Sequence, residues 1–165
     1  MQIEAQTDML LFRYKSYAKT DFINEHISIL KDNGYVWMLK VGKRTSLDRI
    51  NHILKAGGWM ILRSPKVDGS KFYLAKFTEM SEDEPEDSVY PEYYQEILDD
   101  DDNLVFETLN YQWFKITMLI ELDEVYSKTL CMSNTNKKVI DVIDTTRTAV
   151  MFIRNESAIT YEEAR

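Results

Sequence analysis

Apolar positions along this chain switch repeatedly between two spacings. Met9–Tyr14 (MLLFRY) is a compact apolar, β-prone run and predicts a first strand. From Phe22 the spacing becomes helical: Phe22, Ile23, Ile27 and Leu30 fall on one face, Thr20 or Asp21 stands where a cap belongs, and Gly34 supplies a left-handed stop, so a helix is expected over Phe22–Lys31. Tyr35–Val41 reads as a strand and Gly42-Lys43-Arg44-Thr45 as a turn. Ser46 then caps a second helix, Leu47–Lys55, with a buried stripe of Leu47, Ile50, Ile53 and Leu54 ended by Gly57-Gly58. Trp59–Arg63 and Lys71–Phe77 predict two strands joined by a loop carrying Asp68-Gly69, a hairpin signal. Tyr111–Leu122 is the longest strand pattern, Ala149–Arg154 a closing strand, and Lys138–Ile143 fits either helix or strand.

Ser81–Asp102 breaks this pattern. It holds 11 acidic residues and no Lys or Arg, and Pro85 and Pro91 frame an aromatic patch that leads into a short helical stretch ending at Leu98. Such a composition predicts an exposed, partly mobile insertion at about 81–102. Asn155–Arg165 reads as a frayed tail, and no internal repeat is visible. Strands at both ends, two early helices and a central meander predict a single α+β domain over 1–165. Its expected form is a small β-barrel of five to six strands with flanking helices, closure removing the edges of such apolar strands.

Charge refines this outline. The chain of 165 residues carries a formal net charge of −8, but residues 1–80 sum to +5 and residues 81–165 to −13. With a screening length of about 8 Å, a basic half can hold an anion while an acidic half keeps the protein dispersed. No apolar run approaches the roughly 20 residues of a membrane span, so no membrane partner is expected. The N-terminal MQIEAQTDMLLF lacks the marks of a signal peptide, and a lone Cys131 cannot pair internally; both fit a reducing, cytoplasmic location.

Enzymatic signals are weak. His26 and His52 sit in helical patterns, no metal-ligand spacing or glycine-rich phosphate loop occurs, and the Asp99–Asp102 run lacks the alternation of a calcium loop, so no metal or other cofactor is expected. Binding signals are stronger. Trp37, Trp59 and Trp113 lie on or beside strands with Tyr35 near, while Lys40, Lys43, Arg44 and Arg63 mark strand ends where phosphates could be met. Arg147, in Thr145-Thr146-Arg147-Thr148, is a further polar cluster just before a strand.

One block carries more than composition. Asn24–Lys43 reads NEHISILKDNGYVWMLKVGK, and its Glu25-His26, Gly34-Tyr35-Val36-Trp37 and Gly42-Lys43 resemble EVE-like members of the PUA-like superfamily. The resemblance implies a barrel with flanking helices that binds nucleic acid, in relatives often by holding a flipped, modified base in an aromatic pocket. It implies Trp37 as leading pocket aromatic, Lys40, Lys43 and Arg44 near the ligand backbone, and Trp59 and Arg63 as an opposite wall. Two other readings stay open: a protein-interaction module using the acidic 81–102 segment, and a small hydrolase like ASCH relatives, with Lys40 and Glu25 as base and orienting group.

Overall fold

The computed structural model describes residues 1–15, 17, 20–102 and 110–162, the side chains of 100–102 excepted. Among these residues nine strands and five α-helices follow in chain order: β1 (Gln2–Ile3), β2 (Asp8–Arg13), α1 (Phe22–Asn33), β3 (Val36–Gly42), α2 (Leu47–Lys55), β4 (Trp59–Arg63), β5 (Phe72–Ser81), α3 (Tyr94–Asp102), β6 (Asn110–Glu121), α4 (Glu124–Ser127), β7 (Leu130–Met132), α5 (Val139–Val142), β8 (Val150–Asn155) and β9 (Ile159–Thr160). Seven strands form one mixed sheet in the order β3-β6-β5-β4-β2-β8-β7, and β1 pairs with β9 in a separate ribbon. Within the large sheet only β2 and β4 run parallel; every other neighbouring pair is antiparallel.

The helix boundaries follow local chemistry. The Asp21 side chain accepts from the Asn24 amide to start α1, and Gly34, at φ 81°, ends it by donating to Leu30. Ser46 caps α2 in the same way. At the far end of α2, Gly58 has φ +72° and its carbonyl takes the Phe77 amide at 2.8 Å. A Cβ there would lie 2.1 Å from the Phe77 carbonyl oxygen, so only glycine lets the helix exit press against β5. The β5–β6 ladder shifts register beside this contact, between Lys76 and Glu79.

Two apolar layers sandwich the centre of the sheet. On one face Leu10, Phe12, Met60, Leu62 and Ala75 pack with Phe22 and Ile23 of α1 and Ile50 and Ile53 of α2. On the other, Met9, Leu11, Ile61 and Leu74 meet Val139, Ile143 and the β1–β9 pair Ile3 and Ile159. Because β2 and β4 are covered on both sides, their sequences are continuous apolar runs rather than alternating ones. A third cluster lies at the β3–β6 end, where Trp37, Leu39 and Trp113 are covered by Tyr90 and Tyr94 from the acidic segment.

Three expectations change. First, among the described residues no ladder joins β3 to β7, so the strands pair as an open sheet of seven rather than as a ring of five or six. Its two edges are protected by other means. The amide of Trp37, on the outer edge of β3, donates to the Val89 carbonyl at 2.9 Å, and Cys131 of β7 bridges to Lys138 as the chain folds back. Second, the acidic insertion is part of the packed structure, because its tyrosines and Val89 are apolar enough to cover the third cluster. Third, residues 155–160 are no frayed tail: they finish β8 and form β9, with Ile159 fully buried.

Candidate functional site

Six of the residues expected to hold a ligand, Tyr35, Trp37, Lys40, Lys43, Arg44 and Trp113, sit at the β3–β6 end, and most of them serve the fold. Trp37 is 8% exposed and Trp113 1%. Tyr90 and Tyr94 lie against Trp113 with ring centroids 5.1 and 5.9 Å away. Tyr35 donates its hydroxyl to Asp87 at 2.7 Å, and the Lys115 ammonium rides over its ring. Burial disfavours the Asp87 carboxylate, yet the Tyr35 hydroxyl, the Val89 amide, the Trp37 indole and Lys115 outweigh it and hold its pKa below the usual value. The Trp37 N–H acts on Asp87 without reaching hydrogen-bond geometry, and the buried Tyr111 hydroxyl has no hydrogen-bond partner among the described residues.

Lys40 is buried too. Its ammonium donates to the Lys43 carbonyl and to Gln112 Oε1, and Gln112 in turn clasps the backbone of Thr45 on both sides. Burial lowers the pKa of Lys40, and the network pins the Gly42–Thr45 turn rather than presenting a cation. Arg44 makes a two-pronged pair with Glu82 at 2.9 and 3.0 Å, which ties the insertion to that turn; Lys43 is exposed. Trp59 lies on the opposite face, 7% exposed, edge-on to Tyr161 with Lys76 over its ring.

The deepest tie of the insertion is a histidine. His26 Nδ1 lies 2.6 Å from the Phe22 carbonyl, which can only accept, so Nδ1 carries the proton. Nε2 is therefore the acceptor, and the Tyr94 hydroxyl donates to it at 2.5 Å. Burial drops the His26 pKa from 6.5 to about 4, so the ring is neutral. Uncovering this face for base stacking would expose two indoles and two phenols. At roughly 150–250 Å² per ring and about 25 cal/mol per Å², even half-exposure costs near 10 kcal/mol. Stacking one base returns about 1–3 kcal/mol. The packed arrangement wins by a wide margin, and Trp37 presents no ligand-facing surface in it.

A different set of cations does converge. β2 and β4 end side by side, and their register pairs Arg13 with Arg63 on one face. Like charges directly opposite on neighbouring strands oppose folding unless something compensates them. Around them Lys15, Lys66 and Arg147, with Tyr14, Ser64, Ser70 and Thr146, line a cleft of about 430 Å³. Among the described residues Asp144 is the one carboxylate on that lining. Arg13 Nη1 donates to the Thr146 carbonyl at 2.7 Å. Arg63 lies over the Phe72 ring, its Cζ 4.4 Å from the centroid. Tyr14 is buried and stacks on Phe22 at 4.0 Å, which fixes the floor. The cleft thus offers several cations and hydroxyls around one anion, at the carboxyl ends of the only parallel pair of the sheet.

Two of the candidate cations, Arg63 and Arg147, meet here; Arg13 joins them from inside the first strand pattern, Met9–Tyr14, where nothing local marks it as a binding residue. Two larger depressions lie elsewhere: one of about 880 Å³ between α1 and the insertion, lined by Glu25, Glu92 and Glu96 with Tyr90 and Tyr93, and one of about 760 Å³ that shares Arg63 but carries Glu121, Asp123 and Glu124. Lys40 is not on the first lining, so Glu25 and Lys40 form no common site. Cys131 is buried and donates to Glu156, and burial raises its pKa, the reverse of an activated thiol. Among the described residues no group of three or more His, Cys, Asp or Glu is placed to share a metal ion, and no helix is long and apolar enough to cross a membrane. Comparison with family models, with curated proteins and with solved structures finds no match.

Proposed function

We propose that the protein binds nucleic acid, plain or modified, through phosphate contacts in the cleft at the ends of β2 and β4. One observation carries this reading: Arg13 and Arg63 stand paired in register, with three further cations and a single carboxylate among the described residues of the same lining. Paired arginines of fixed geometry suit the forked recognition of phosphate oxygens. The resemblance of Asn24–Lys43 to EVE-like domains supports the same ligand class, and in that reading the open sheet is the counterpart of the family barrel. It also keeps the protein in the cytoplasm, where Cys131 stays reduced. Recognition is led by the backbone of the ligand, since the tryptophans expected to stack on a base are sealed under the insertion or against Tyr161.

The test is fluorescence anisotropy of labelled 12-nucleotide single- and double-stranded DNA and RNA at two salt concentrations. Binding should weaken with salt, and Arg13→Gln and Arg63→Gln should each weaken it and flatten the log–log salt slope by roughly one unit. Binding that ignores both substitutions while the variants remain folded would sink the proposal.

A further inference from the structure

Both strand-end arginines are engaged by one short segment that follows α5. The Thr146 carbonyl accepts from Arg13, and Asp144 Oδ1 lies 3.6 Å from Arg63 Nη2. The two members of this ion pair are unequal. The Arg63 side chain is 12% exposed and that of Asp144 59%. Burial pulls the Arg63 pKa down and the neighbouring Arg13 adds to that, while Asp144 pushes the other way. The mostly buried Arg63 side chain therefore needs an anion, and among the described residues Asp144 is the carboxylate that lies within ion-pair distance of it on this cleft.

The engagement is nevertheless loose. Strong guanidinium–carboxylate pairs are forked, with separations of about 2.7–2.9 Å. Arg44 and Glu82 come close to that geometry in this same chain. Asp144 satisfies the charge of Arg63 without using its directed donors. It also stands in a turn, mostly in water, where it can swing away with little loss of packing.

We propose that Asp144 is an internal substitute for the ligand's phosphate: it neutralises Arg63 in the free protein and is displaced when a phosphate reaches Arg13 and Arg63 together. This rests on the cleft being the phosphate site. It makes Asp144 the residue that sets affinity, and it predicts effects of opposite sign. A merely structural ion pair would lose stability and binding together when broken. A displaced substitute loses stability but gains affinity.

The experiment titrates a labelled 12-nucleotide single-stranded RNA into wild type, Asp144→Asn, Asp144→Glu and Asp141→Asn at low salt, with thermal melts of each protein. Asp141 is exposed on α5 and absent from the cleft lining, so it controls for the loss of a distant negative charge. The expected result is binding tighter by about fivefold or more in Asp144→Asn, with a lower melting midpoint. Asp144→Glu should stay close to wild type, and Asp141→Asn should change affinity less than twofold. Wild-type binding that depends on Arg13, with Asp144→Asn no tighter, overturns the substitute role and leaves the phosphate site standing. Folded proteins that bind no oligonucleotide at all overturn both. If Asp144→Asn does not fold, Asp144→Ser repeats the test; failure of both to fold makes the pair structural and also overturns the proposal.

Discussion

Protonating His26 should unfasten the insertion, and the size of the effect follows from its burial. The folded-state pKa is about 4 against 6.5 for a free ring. The unfolded chain therefore binds a proton more readily than the folded one. Stability is fully present above pH 6.5 and is lost as the pH falls through the window from 6.5 to 4. The ceiling is about 3 kcal/mol, from a shift of roughly 2.5 pH units at about 1.36 kcal/mol each, and by pH 5 about 2 kcal/mol of it should be gone. Stopping at pH 5 leaves the carboxylates mostly ionised. The assay is urea unfolding followed by tryptophan fluorescence at pH 8 and pH 5, for wild type and His26→Gln. Trp113, which packs against Tyr90 and Tyr94, reports the same region. The variant should be less stable at pH 8 yet lose about 2 kcal/mol less on acidification. Equal losses in the two proteins would show that His26 is not held neutral, and the argument from burial would fail.

Other substitutions probe the same framework. Tyr94→Phe removes the donor to His26 Nε2 and strands a buried acceptor, so it should cost about 1–3 kcal/mol by urea unfolding. Trp37→Ala should cost about 3–5 kcal/mol as a cavity in the third cluster, with oligonucleotide affinity unchanged at temperatures where the variant is folded. Gly58→Ala should be far worse than Gly34→Ala. Gly34 has open space around its Cβ position and loses only about 1–2 kcal/mol for its positive φ, whereas at Gly58 the new carbon collides with the Phe77 carbonyl. Thermal melts of the two variants side by side decide this.

Where local chemistry decides an element, the sequence was readable. Ser46 and Gly57-Gly58 bracket α2, which spans the expected Leu47–Lys55, and β4 spans the expected Trp59–Arg63. Where a distant partner decides, it was not. β2 and β4 are about 50 residues apart, and nothing in either says that they lie parallel and bring Arg13 beside Arg63. The insertion was misread for a related reason. Its carboxylates dominate the composition, yet Val89, Tyr90 and Tyr94 do the packing, and the helical spacing of Tyr94, Ile97 and Leu98 does not say that the face they form lies on β3 and β6. Trp37 beside a Gly-Lys-Arg turn suggests a ligand wall because the sequence does not reveal that Val89, Tyr90 and Tyr94 bury it in one cluster with Trp113. The two-residue pairing of β1 with β9 is too short to leave a pattern.

The cover over β3 also sets a schedule for the chain as it is made. Trp37 must wait about 50 residues for Val89 and Tyr90, and about 75 for Trp113 on the neighbouring strand. At synthesis rates of about 5–20 residues per second, the interval to Trp113 is about 4–15 s. During it, an apolar strand with an unpaired edge has left the synthetic machinery without its partner or its cover. The Val89 carbonyl that closes this edge arrives together with the tyrosines that bury its face, so the growing chain is most open to mispairing before residues 89–94 emerge.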